Sequence, residues 1–191
     1  MQLSIRGKGE GQMRIGVTYE NGEIFQHFGH TEQFKFYDVD SIIRIGTAGS
    51  YSEDLKVYDL LVADSCYSKT YFDEEAGREN VEIINSSGDL NGIIMKTAAL
   101  KRIDAKLGRV HTTEAFYTEN KDYTPFIELG CKAVEMECYA LFYNAKKFLK
   151  KATAILTISD NLITHEEIDA KEREQKLDDM IFLALESIIK E

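Results

Sequence analysis

Two acidic motifs stand where predicted strands end. Glu135 and Glu137 flank Met136 after one apolar run, and Ser159-Asp160 ends the next predicted strand along the chain. In an open α/β sheet, ligands bind beyond the carboxyl ends of the strands. Two carboxylate-bearing motifs at two such ends therefore predict a shared ligand site.

The first motif has the composition of a sugar-binding segment. A carboxylate has two acceptor oxygens for the vicinal hydroxyls of a sugar, and a methionine packs against a ring without strict geometry. In an extended chain Glu135 and Glu137 would share one face, but the following turn into a helix disturbs that alternation. The alternative is that both are helix N-terminal acids, which the helix dipole favours.

The second motif suggests control of a proton. Arg173 lies in the first turn of the predicted last helix, where a cation opposes the helix dipole and needs a compensating partner such as Asp160. This pair could hold an acid beside a leaving group and manage its proton. A structural ion pair explains the same residues equally well.

Arg44 is a cation inside the otherwise apolar run at residues 42–49. An unpaired buried cation costs several kcal/mol, so Arg44 must either form an ion pair or hold an anion. The turn at Gly46 and Thr47 offers backbone N–H groups and one hydroxyl. Together these groups could cradle a phosphate.

The predicted elements alternate between strands and helices, which indicates a mostly parallel sheet covered on both faces. Strands are predicted at residues 13–20, 34–39, 42–49, 58–64, 104–112, from 131 onward, and 152–159. Helices are predicted at residues 88–102, 137–150 and 170–190, the first with Ser87-Gly88-Asp89 at its start. We expect a flexible lead-in at residues 1–12, an atypical β segment at 13–41 and one α/β domain at 42–191.

Bulk properties exclude several classes of protein. The 191 residues are 43% hydrophobic and carry a net charge of −10, which argues against a nucleic-acid partner. No apolar run approaches the ~20 residues of a membrane-spanning helix, and the N-terminus lacks the apolar core of a signal peptide. Cys66, Cys131 and Cys138 are odd in number and form no CxxC pair, so we expect reduced thiols in the cytoplasm.

His27 and His30 are the residues that invite a metal interpretation. Phe28-Gly29 between them indicates a loop, and no third ligand is clustered with them. Metal sites generally need three or four ligands, so we predict loop histidines and no metal.

Five collinear stretches carry a family resemblance: IIRIGTAG, HTTEAFYTE, AVEMECYALF, TISDNLITHEE and AKEREQKLDDMIFLALESI. Across residues 42–191 the chain resembles the bacterial hexameric purine nucleoside phosphorylases of the nucleoside phosphorylase superfamily. The resemblance implies a three-layer α/β/α sandwich with a mixed, mostly parallel sheet, and a cytoplasmic homo-oligomer. It implies reversible phosphorolysis of purine (deoxy)ribonucleosides to free purine and pentose 1-phosphate, without a cofactor because phosphate is a co-substrate.

The resemblance also implies roles for individual residues. The phosphate ligands would be Arg44, Gly46 and Thr47. The nucleoside-binding residues would be Phe116, Val134, Glu135, Met136, Glu137 and Ser159, with Glu137 accepting from the ribose hydroxyls. Asp160 would protonate purine N7 with help from Arg173. An acid at N7 offsets the negative charge that develops on the departing base.

The N-terminal segment departs from the family pattern. Residues 13–40 (MRIGVTYENGEIFQHFGHTEQFKFYDVD) resemble the opening of the dinitrogenase iron–molybdenum cofactor-binding family, and the phosphorylases' own phosphate loop is not matched there. Impaired phosphorolysis is one consequence to consider. A nucleosidase or uridine phosphorylase of the same superfamily, and a non-catalytic nucleoside-binding protein, stay open as alternatives.

Overall fold

The computed structural model describes residues 2–8, 12–18, 39–68, 83–113, 122–168 and 177–189. The strands are β1 (Gln2–Lys8), β2 (Gln12–Thr18), β3 (Ser41–Ser50), β4 (Leu60–Tyr67), β5 (Ile83–Asn85), β6 (Ala105–Thr112), β7 (Cys131–Glu135) and β8 (Lys151–Asn161). The helices are α1 (Gly88–Lys101), α2 (Thr124–Glu128), α3 (Cys138–Lys147) and α4 (Asp178–Ile188).

The strands form one mixed sheet whose centre closes on itself. β3 pairs with β7, β7 with β6, β6 with β4, β4 with β8, and β8 with β3, which makes a ring of five strands. Among the described strands, the pairs β3–β8, β4–β6 and β6–β7 are parallel and five others are antiparallel. The mixed α/β sheet is as predicted. Parallel pairing is in the minority because hairpin-like pairings at both edges and the two ring closures, β3–β7 and β4–β8, are antiparallel.

Helices cover both faces of the sheet, as a three-layer sandwich requires. α3 packs on one face, where Leu141 and Phe142 join a cluster that includes Ile42. α1 and α4 pack on the other face, where Ile94 and Leu183 join a second cluster. Burying an aliphatic or aromatic side chain of this size contributes about 1.5–3 kcal/mol, so these two layers supply most of the hydrophobic stabilisation.

The predicted start of α1 is confirmed, and α4 buries an apolar stripe against the sheet. Ser87 is the N-cap of α1, and its Oγ accepts from Leu90 N at 3.5 Å. In α4, Met180, Leu183, Ala184 and Ile188 are buried against the sheet, and Leu177, Ile181 and Leu185 are partly buried beside them. These residues form an apolar stripe with the 3.6-residue period of a helix.

The N-terminus is part of the sheet. Gln2–Lys8 pairs antiparallel with β2 along its full length and with β3 through its first four residues. The expected flexible lead-in at residues 1–12 is therefore wrong for this strand. The backbone of β1 gains hydrogen-bond partners from the N–H and C=O groups along the free side of β3. The polar and glycine residues of the segment do not indicate this pairing. The predicted strand at residues 34–39 lies almost entirely outside the described residues.

Two short elements were not predicted. β5 pairs antiparallel with the end of β4, and α2 lies between β6 and β7. Pro125 lies in the first turn of α2, where its missing N–H has no cost. Cys66, Cys131 and Cys138 are free and buried, which agrees with reduced thiols. Within the described ranges, no helix has both the length and the apolar character needed to cross a membrane.

Candidate active site

The two acidic motifs lie on either side of one residue, Gly49 of β3. Gly49 pairs with Val134 of β7 on one side and with Asp160 of β8 on the other. A Cβ atom at Gly49 would lie 2.9 Å from Asp160 Oδ2 and 3.4 Å from Val134 Cγ1. The Asp160 carboxylate and the side chain of Val134, which directly precedes Glu135, therefore converge over this glycine.

Asp160 is aimed by a β-bulge. Ala48 stands opposite Ile158, but Gly49 stands opposite Asp160, so Ser159 is an extra residue in β8. Bulges next to functional sites commonly redirect a side chain. Ser159 is buried, and its hydroxyl donates to Asp160 Oδ1 at 2.6 Å. The structure thus places Ser159 as a direct support for Asp160.

Arg44 lies on the opposite face of β3, because alternate residues of a strand point to opposite faces. A Cβ atom at Gly46 would come within 2.5 Å of Arg44 Nη1, so the guanidinium folds back over this glycine. It forms an ion pair with Glu137, and its Nη1 lies 3.7 Å from Glu135 Oε2. The ion-pair alternative for Arg44 is therefore present in the structure, and its partners are residues of the predicted sugar-binding motif.

Glu135 is built into the start of α3. Its carboxylate accepts from Glu137 N at 2.9 Å, from Cys138 N at 2.9–3.0 Å, and from the Thr112 hydroxyl. The residue is only 4% exposed. Burial raises the pKa of Glu135, while the Arg44 guanidinium and these hydrogen bonds oppose the rise. Of the two interpretations of this motif, the helix N-terminal acid fits Glu135, whereas the resemblance placed it on the wall of the nucleoside pocket.

The remaining predicted site residues divide into described and undescribed ones. Met136 and Glu137 are half-buried at the start of α3, and Thr47 is half-buried in β3 opposite Thr157. Phe116 and Arg173 lie outside the described residues. The same holds for His27 and His30. Among the residues that the structure does describe, no group of three or more His, Cys, Asp or Glu side chains could hold a metal ion.

An aromatic cluster beside the site was not found from the sequence. The His111 ring stacks on Phe126 with centroids 3.9 Å apart, and its Nδ1 lies 3.0 Å from the Tyr51 hydroxyl. Burial lowers the pKa of His111 to about 4, so the ring is neutral at physiological pH. Val134 and Leu162 pack against this cluster, which links it to the site. Its members Tyr51, His111 and Phe126 are far apart in the chain, so no single stretch of sequence indicated the cluster.

Comparison with known proteins identifies the family. A family model described as the phosphorylase superfamily matches residues 13–189. The chain belongs to the phosphorylase superfamily. The match includes residues 13–41 as well as residues 42–189. The additional resemblance of residues 13–40 to the iron–molybdenum cofactor-binding family stays a prediction.

Curated relatives within the phosphorylase superfamily cover nearly the whole chain. A DeoD-type purine nucleoside phosphorylase of Anoxybacillus flavithermus is 34% identical over 100% of this chain and 76% of its own length. A DeoD-type purine nucleoside phosphorylase of Mycoplasma genitalium is 37% identical over 96% of this chain and 74% of its own length. These relatives establish family membership at the level of sequence.

Solved structures support the superfamily fold. A 5′-methylthioadenosine/S-adenosyl homocysteine nucleosidase of Campylobacter jejuni superposes with a TM-score of 0.78 at 15% identity, covering 99% of this chain and 90% of its own. A futalosine hydrolase mutant of Helicobacter pylori gives a TM-score of 0.76 at 21% identity, covering 98% of this chain and 88% of its own. At these identities the similarity concerns the fold.

Proposed function

We propose that the chain is a purine nucleoside phosphorylase. The observation that carries the proposal is the placement of three groups along β3: Arg44 within the strand, paired with Glu137 at the start of α3, and Asp160 of β8 beside Gly49. These are an anion-binding cation, a hydroxyl-accepting carboxylate and an acid, which are the three groups that phosphorolysis needs. The relatives named DeoD-type purine nucleoside phosphorylase support the same reaction.

In this proposal the substrate lies across the end of β3. The sugar faces Glu137 and Met136 on the side of α3, and the base faces Asp160 and Val134 on the other side. Phe116 forms a further part of the base pocket. Glu137 accepts hydrogen bonds from the ribose hydroxyls through both of its oxygens.

Phosphate competes with Glu137 for Arg44. The guanidinium is planar and suits bidentate binding of an oxyanion, with Gly46 and Thr47 providing further donors. When phosphate takes over Arg44, the Glu137 carboxylate becomes available to the ribose. Phosphate thus frees Glu137 from Arg44 for the ribose, and the ribose frees Arg44 from Glu137 for phosphate.

The chemical step balances as follows. The glycosidic C–N bond breaks as a phosphate oxygen bonds to the anomeric carbon, and the electron pair of the broken bond goes to the purine. Asp160, in its protonated form, transfers its proton to N7, so the purine leaves neutral. Arg173 assists this transfer, and the Asp160 carboxylate regains a proton from solvent.

Hydrolysis is the second candidate, because Arg44 is already held by two carboxylates. Incubation with inosine, following hypoxanthine release with and without phosphate, separates the possibilities. We expect release that requires phosphate. Release without phosphate would identify a nucleosidase, and binding of inosine without release would identify a non-catalytic protein.

We also propose that the enzyme acts as a homo-oligomer in the cytoplasm and requires no cofactor beyond its co-substrate phosphate. Light scattering after size-exclusion chromatography measures the assembly directly. A chain that is active as a monomer would contradict the homo-oligomer.

A further inference from the structure

We propose that Thr112 is a positioning residue for this site, acting through Glu135 on Glu137 and Arg44. The inference rests on the proposed function, which assigns Glu137 to the ribose and Arg44 to phosphate. Thr112 is the last residue of β6 and is 5% exposed, so its hydroxyl has no direct access to a ligand. Its effect must pass through the side chain and backbone groups that it contacts.

All three hydrogen-bonding positions of the Thr112 hydroxyl are used. The hydroxyl donates to Glu135 Oε1 and accepts from Tyr139 N at 3.0 Å. The Cys66 Sγ atom lies 2.9 Å from the same oxygen. Because the single hydroxyl proton goes to Glu135, the Cys66 thiol is the donor in this contact. Burial raises the pKa of Cys66 and keeps the thiol protonated for that role.

Thr112 and Glu135 together satisfy the first turn of α3. The Glu135 carboxylate accepts from Glu137 N and Cys138 N, and the Thr112 hydroxyl accepts from the next N–H group, that of Tyr139. The first N–H groups of a helix have no partner within the helix. Here three consecutive ones are held by two side chains that also bond to each other. The start of α3 is thereby fixed to the end of β6.

This fixed helix start determines where Glu137 and Arg44 point. Glu137 is the N-cap residue of α3, and its carboxylate pairs with Arg44. Arg44 Nη1 also lies 3.7 Å from Glu135. Removing the Thr112 hydroxyl takes one buried hydrogen bond from Glu135 Oε1 and one from Tyr139 N. Glu135 then shifts or binds a proton. As a result, the proposed ribose acceptor Glu137 and the proposed phosphate ligand Arg44 are no longer held in position.

The test compares variants of Thr112 that differ in hydrogen bonding at nearly constant volume. Thr112→Val removes the hydroxyl, and we expect KM for both phosphate and inosine to rise about tenfold, as for other groups that orient site residues. Thr112→Ser restores the hydroxyl and should return both constants to within about twofold of wild type. The kcat value should change less than KM, because the group at N7 is untouched.

Thr153→Val is the matched control. Thr153 is fully buried, and its hydroxyl donates to Asn91 Oδ1 at 2.5 Å on the sheet face covered by α1. Its loss removes a buried hydrogen bond of the same kind away from the site, and the KM values should stay within about twofold of wild type. An equal rise in KM for both valine variants would overturn the proposal, as would unchanged KM values in a folded Thr112→Val protein.

Two provisions keep the test decisive. If Thr112→Val does not fold, Thr112→Cys replaces the hydroxyl by a weaker donor and should give KM values above those of Thr112→Ser; equal values for the two refute the role. If wild type releases hypoxanthine without phosphate, the proposed function fails and the KM for inosine alone decides. If wild type shows no turnover, the dissociation constant for inosine, measured by calorimetry, takes its place.

Discussion

The two faces of β3 hold their site residues in different ways. On one face, Arg44 is positioned by charge, through Glu137, Glu135 and the buried hydrogen bonds behind them. On the other face, Asp160 is positioned by backbone geometry, through the bulge at Ser159 and the missing side chain of Gly49. The position of Arg44 should therefore respond to substitutions that change charge, and the position of Asp160 to substitutions that change the size of a neighbouring side chain.

The largest effect is expected from replacing Asp160, the acid that is positioned by backbone geometry. Asp160→Asn keeps the size of the side chain but cannot donate an acidic proton. We expect kcat on inosine to fall about 10²–10⁴-fold. The loss should be far smaller on a nucleoside with a good leaving group, measured in the same assay. Equal losses on both substrates would rule out Asp160 as the N7 acid.

Gly49→Ala tests whether shape alone positions that acid. The new Cβ would lie 2.9 Å from Asp160 Oδ2, so the carboxylate must move although no charge changes. Displacement of a catalytic group by about 1 Å can cost up to about 10²-fold in rate, and we expect a fall in kcat of about 10–100-fold. Gly92→Ala in α1 is the control, because its Cβ meets no atom within 4 Å. A Gly49→Ala enzyme with wild-type kcat would show that the backbone does not set the position of Asp160.

Glu137→Gln tests the face that depends on charge. The neutral amide weakens hydrogen bonding to the ribose hydroxyls, and we expect KM for inosine to rise about tenfold. Because Arg44 loses one of its two ion-pair partners, KM for phosphate should fall in the same variant. Steady-state kinetics with each substrate varied in turn gives both constants. If both KM values rise together, Glu137 and phosphate do not compete for Arg44.

The smallest kinetic effect is expected from the aromatic cluster, which should influence stability instead. The pKa of His111 is lowered by burial from about 6.5 to about 4, so the unfolded chain binds a proton before the folded one does. The free energy of unfolding therefore has its full value above pH 6.5. It decreases as the pH falls toward 4, because the unfolded chain takes up a proton on His111 and the folded chain does not. Between pH 7 and pH 5 this loss is about 2 kcal/mol.

Urea unfolding of wild type and His111→Asn at both pH values measures that contribution. The asparagine does not titrate, so its free energy of unfolding should fall less on acidification, by about 2 kcal/mol. Identical pH dependence in the two proteins would show that His111 is not a buried neutral histidine. The kcat of the His111→Asn variant at pH 7 should stay close to that of wild type.

The sequence predicted the elements whose signals are local. The apolar runs that became β3 and β8, and the N-cap at Ser87, have patterns that one stretch of chain contains in full. The acids at the ends of two strands were predicted to be close because parallel strands end at one edge of a sheet, but β7 is antiparallel to β3 whereas β8 is parallel to it. Their exact supports were not predicted, since the bulge at Ser159 appears only when β8 is aligned with β3.

The role of Glu135 depended on a partner that sequence pattern does not identify. Thr112 is 23 residues away in the chain, and nothing in its neighbourhood distinguishes its hydroxyl from that of Thr113. The pairing of β1 with β3 was missed for the same reason, because a polar, glycine-containing segment gains its partner only through the fold. Long-range contacts of this kind decide which residue touches a ligand and which supports it.

The closed ring of strands also limits when the chain can fold during synthesis. β8 pairs with both β3 and β4, yet it follows all other ring strands in the sequence. No nascent chain that ends before residue 161 can complete the ring, and its earlier strands keep unpaired edges while they wait. The ribosome therefore holds an unfinished domain until β8 has been translated.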